Sequence, residues 1–156
     1  MFWKVMLLMF IAYIGVCAQD CKSLRGRYNY LLKDYIYQDL MSEADKLITE
    51  VCSTDDGKTK KAVDRILLAL EVIKEESLKE DADRKLLAVI TQKRIKNALI
   101  TLNGTRKYKD KYQNLYFYQL LFYQVARENS RAKDYNYALK YAQASYLLGR
   151  AILELR

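Results

Sequence analysis

A chain of 156 residues without a single proline, and with only five glycines, has little with which to turn. All-β folds need turn residues about every 8–12 positions. Uninterrupted helices need none, and the abundant Leu, Ala, Lys, Glu and Arg favour them. The chain also lacks histidine. Ser-His and Cys-His nucleophile pairs and all histidine metal sites are therefore excluded. With 51% apolar and 29% charged residues the chain is not of disordered composition.

Met1–Ala18 has Lys4, an apolar run from Val5 to Val16, and small residues at Val16 and Ala18. It reads as a secretory signal peptide cleaved between Ala18 and Gln19. The alternative, a membrane anchor, needs about 20 apolar residues. The mature domain would run from Gln19 to Arg156 with net charge +7. It would keep two cysteines, Cys21 and Cys52, an even number that suggests one disulfide in an oxidising compartment. Asn103-Gly104-Thr105 is an N-glycosylation sequon, usable if exposed in the secretory route.

Apolar spacing predicts helices along the whole mature chain. The first spans about Lys22 to Gln38 on Leu24, Tyr28, Leu31, Leu32, Tyr35 and Ile36, and bends near Asp39 into a stretch carrying Leu40, Ala44, Leu47, Ile48 and Val51. Cys52–Gly57 is predicted as a loop with N-cap residues. Val63, Ile66, Leu67, Leu70 and Ile73 mark the next helix, and acidic Glu75–Asp83 a turn. Leu86–Leu102 is helical and ends on a C-cap signal, Asn103-Gly104. Tyr112–Asn129 is apolar nearly all round, the pattern of a central helix. Tyr135–Leu155 is the last helix. Gly149 inside it either costs about 1 kcal/mol or admits a close neighbour. Asp134–Leu139 with Ala126 and Ala142 resembles one tetratricopeptide repeat, but no second copy precedes it, and an array needs at least three. The fold expected is all-α: a single compact bundle of five or six helices with one disulfide.

Charge is segregated. Residues 39–83 hold 13 acids and 7 bases, whereas residues 84–111 hold 9 bases and 1 acid. Either the blocks face each other, or the basic one is a contact surface. On a helical wheel Lys85, Gln92 and Lys96 share a face and Lys93 and Arg94 point elsewhere. Arg106, Lys107, Lys109 and Lys111 then form the local basic patch, in an expected loop. Nucleic acid is a poor partner for a secreted chain without a binding motif; heparin or an acidic protein surface fits better. Tyrosine is abundant, with 14 in the chain, and is enriched at interfaces. Tyr30 and Tyr37 lie off the first apolar stripe and are candidate binding residues; the alternative is that they sit at its rim. No catalytic constellation and no metal-ligand cluster stands out, so binding rather than enzymatic turnover is expected, with no cofactor and no membrane insertion.

Three stretches carry a family resemblance: CKSLRGRYNYLLKDYIYQDL, ALITLNGTRKYKDKY and YQLLFYQVARENSRAKDYNYALKYAQASYLL. Together they resemble the anophensin/albicin family of small helical proteins secreted in the saliva of anopheline mosquitoes. The resemblance covers nearly all of the mature chain. It implies an inhibitor of host plasma defence that acts by protein–protein binding. Family members block the alternative-pathway convertase of complement, and also interfere with the contact phase by binding factor XII and kininogen, so reducing bradykinin release. The resemblance brings no residue-level binding motif. A helical carrier of small ligands is the expectation from another class, with the apolar Tyr112–Asn129 helix lining its pocket.

Overall fold

The computed structural model describes residues 20–34, 37–75 and 83–156. The expected signal peptide, Tyr35, Ile36 and most of the expected acidic turn lie outside the described residues. The described chain is a compact bundle of six α-helices: α1 over 20–32, α2 Gln38–Thr54, α3 Gly57–Lys74, α4 Arg84–Thr105, α5 Gln113–Arg131 and α6 Tyr135–Leu155. A 3₁₀ turn, Arg106–Tyr108, follows α4. Cys21 and Cys52 are joined in a disulfide that links α1 to α2.

Helix ends follow local chemistry. The side chains of Asp56, Asp83 and Asp134 accept from the backbone N–H of Lys58, Lys85 and Tyr137, capping α3, α4 and α6. Two predicted boundaries are corrected. The first helix stops at Leu32, and the chain re-enters helix at Gln38 after Tyr37, which has a positive φ of 57°. Helix α2 runs through Cys52 to Thr54, so the predicted Cys52–Gly57 loop shrinks to Asp55 and Asp56. Nor does Asn103-Gly104 cap α4. Both residues lie within its last turn, and none of the described glycines has a positive φ.

The central helix is α6, not α5. Helix α6 packs extensively on α3, α4 and α5 together, while α5 leaves Phe117 exposed. The reason is steric. Ala138, Ala142, Ala144, Ser145, Gly149 and Ala151 give α6 a thin waist that three helices can approach, and all six are buried. At Gly149 an added Cβ would collide with the Thr101 methyl of α4 and the Gln119 amide of α5. The tyrosines of α5 are too bulky for that position. Tyr118 and Tyr123 are buried in the core beside it instead, and Tyr112, just before α5, has its Oη donating to the Leu155 carbonyl at 2.8 Å.

Helices α3 and α4 therefore flank α6 without sharing a packed interface. This placement separates α3 from the basic block on α4 and the turn after it.

Candidate functional site: the outer surface of α4

Bases on α1–α3 are largely neutralised in place. Arg27 donates to Glu71 and to Asp64, both at 2.6 Å. Lys60 pairs with Asp20 and Lys74 with Asp34, each at 2.6 Å. Arg25 pairs with Asp45. The nine bases of residues 84–111 are all exposed. Among the described residues none of them is ion-paired to a carboxylate. Of the acids in residues 39–75, Asp45 pairs with Arg25, Asp64 and Glu71 pair with Arg27, and Glu43 pairs with Lys46 of its own helix; the acids of residues 76–82 lie outside the described residues.

Helix α4 also departs from the usual pattern of a bundle's outer helix. Its inward side is narrow, carrying Leu87, Thr91, Ala98, Thr101, Leu102 and Thr105. Its outward side is not simply polar. Leu86, Val89 and Ile100 are 58%, 67% and 59% exposed, with Ile90 and Leu99 partly so. Lys93, Arg94 and Lys96 are exposed between them. Lys93 lies on the outward side, and Arg94 is exposed although it falls between Thr91 and Ala98 on the inward side. Sequence reasoning missed the outward leucine, valine and isoleucines. The available signal was an α4 with apolar residues all round yet frequent lysine and arginine.

The predicted patch residues Arg106, Lys107, Lys109 and Lys111 lie just beyond α4, in the 3₁₀ turn and the turn after it, and all are exposed. The Lys107 and Lys111 ammonium groups stand 5.2 and 5.3 Å from the ring centroids of Tyr108 and Tyr112. These rings hold the cations without cancelling their charge. Asn103 is exposed in the last turn of α4, beside this surface. The threonine of its sequon, Thr105, is buried, with its hydroxyl 2.8 Å from Gln119 Oε1 and 3.2 Å from the Leu102 carbonyl.

The two candidate tyrosines are elsewhere. Tyr30 is 57% exposed on α1, with the Lys74 ammonium 3.7 Å from its ring centroid. It borders a groove of about 560 Å³ whose other lining residues are Gly26, Arg27, Glu71, Lys74 and Glu75. Tyr37 is half-buried at the start of α2, its ring edge-on to Tyr118 and Phe122 and its hydroxyl 2.8 Å from that of Tyr141. Burial, with hydrogen bonds to Tyr137 and Tyr37, holds the Tyr141 phenol well above its ordinary range. Tyr37 thus serves the aromatic core. The structure does not bring Tyr30, Tyr37 and the basic turn together.

Among the described residues no group of three or more acidic or cysteine side chains is placed to hold a metal ion. Nor, among the described residues, is any helix long and apolar enough to cross a membrane. Compared with known proteins, the chain matches no family model, no curated protein and no solved structure.

Proposed function

We propose that this protein is a secreted salivary inhibitor of host plasma defence that acts by binding and blocking the alternative-pathway convertase of complement. The observation that carries a binding role is the outer surface of α4 and the turn after it, where exposed leucine, valine and isoleucine alternate with unpaired lysine and arginine. A surface meant only for water gains nothing from those aliphatic side chains, and interfaces combine apolar anchors with charges that find partners. The choice of target rests on the resemblance of the three sequence stretches. The test is lysis of rabbit erythrocytes in human serum with calcium chelated and magnesium supplied, so that only the alternative pathway runs. Dose-dependent protection supports the proposal; no protection at micromolar concentration overturns it.

A second reading, inhibition of contact-phase activation through factor XII or kininogen, is favoured by the unpaired cluster Arg106, Lys107, Lys109 and Lys111. Such a cluster suits competition for an anionic activating surface. Kallikrein generation in plasma on such a surface tests it.

A further inference from the structure

Leu86, Val89, Lys93, Lys96 and Ile100 follow one another at offsets of 3, 4, 3 and 4 residues, so they form a single stripe along α4. The fourteen helical steps from Leu86 to Ile100 make it about 21 Å long. Every member is exposed. Apolar side chains occupy both ends, and two lysines without ion-pair partners occupy the middle.

We infer that this stripe is the inhibitor's docking face, and that its occupant is a protein surface presenting carboxylates opposite Lys93 and Lys96, flanked by apolar pockets for Leu86–Val89 and Ile100. The inference rests on the convertase reading and locates the contact on this chain.

Charge order along the stripe selects the occupant. A second copy docked face to face would set Lys93 and Lys96 against the same residues of its partner, and like charges in contact are costly. A lipid surface would take the two apolar ends only by drawing the central ammonium groups in with them, or by leaving the ends unburied. An acidic protein surface meets both requirements together. Among the described residues no acid of this chain pairs with Lys93 or Lys96.

The experiment measures binding of the mature protein to the convertase assembled on a sensor surface, with three variants checked for helical circular dichroism and an intact disulfide. Expected are about 100-fold weaker binding for Lys93→Glu/Lys96→Glu and about tenfold weaker for Val89→Ser/Ile100→Ser. Lys61→Glu, on the exposed side of α3, stays within about twofold, as befits a surface charge outside the contact. Unchanged binding by both α4 variants, with wild type bound, overturns the docking face but leaves the convertase reading standing. No binding by wild type overturns both. Two further outcomes overturn the acidic-protein occupant. One is adsorption of wild type to phosphatidylserine vesicles that the same variants abolish. The other is a concentration-dependent dimer in sedimentation that they abolish.

Discussion

A Cβ built on Gly149 would stand 2.5 Å from Gln119 Nε2 and nearer still to the Thr101 methyl, whereas one built on Gly104 meets nothing within 4 Å. Both glycines are helical. The same substitution should therefore act with opposite sign at the two sites. Gly149→Ala gains up to about 1 kcal/mol of helix propensity but must push apart three packed helices, which costs about 1–3 kcal/mol. The expected result is a net loss of about 1–2 kcal/mol, because the Gln119 amide is fully buried with nowhere to retreat. Gly104→Ala should stabilise by up to about 1 kcal/mol. Urea unfolding midpoints of the two variants check this, and an unchanged or higher midpoint for Gly149→Ala would show that close approach does not set the position of α6. Single residues differ in how legible they are from sequence. A lone glycine on the small-residue face of a helix announces a close neighbour. Asn103-Gly104 announces a stop that does not occur, because burial of Thr105 carries the chain into a further 3₁₀ turn. Tyr37 announces nothing: positive φ is unfavourable for a bulky residue, and here its ring contacts with Tyr118 and Phe122 hold it in place.

Among the elements, α1 is attached differently from the rest. It contributes only Leu24 and Leu31 to the buried core. Its other ties include the Cys21–Cys52 disulfide and ion pairs through Asp20, Arg25 and Arg27, with Asp34 pairing just beyond its end. Exposed ion pairs contribute about 0–1 kcal/mol each and weaken with salt, and a disulfide closing a loop of this length contributes about 3–4 kcal/mol in the chain-entropy model. Reduction at high salt should therefore release α1 alone. In hydrogen exchange, amides of α1 should lose protection under dithiothreitol and about 0.5 M salt, while those of α6 stay protected. Simultaneous loss in α1 and α6 would show instead that α1 belongs to the cooperative core. Helix identity was legible at this scale because apolar spacing encodes a buried face directly. Helix rank was not. The Tyr112–Asn129 segment looked most buried because Tyr, Phe and Leu fill it, yet centrality went to the helix with alanine, serine and glycine. A helix touched on three flanks needs room more than it needs hydrophobic bulk.

For the molecule as a whole, the net charge matters less than its division. At physiological ionic strength the Debye length is about 8 Å. Helices α3 and α4 lie on separate flanks of α6, and a helix with its side chains is about 10 Å across. The acids of α3, Asp64 and Glu71, are thus too far away to cancel the bases of α4 in solution, and both pair with Arg27 instead. The segregation was visible in the sequence as two blocks. Whether α3 met α4 was not, since that depends on which helix is central, and α6 keeps these two apart. The basic turn after α4 should act towards a polyanion independently of the carboxylates of α2. On a heparin column, Arg106→Gln/Lys107→Gln/Lys109→Gln/Lys111→Gln should elute at clearly lower salt than wild type, since each lost contact lowers the salt dependence of binding. Glu43→Gln/Glu50→Gln, which raises the net charge on the acidic side, should elute where wild type does. If retention instead follows net charge, the carboxamide variants of Glu43 and Glu50 will elute later than wild type. The molecule would then behave as one diffuse cation, and the basic turn after α4 would have no special claim on an anionic partner.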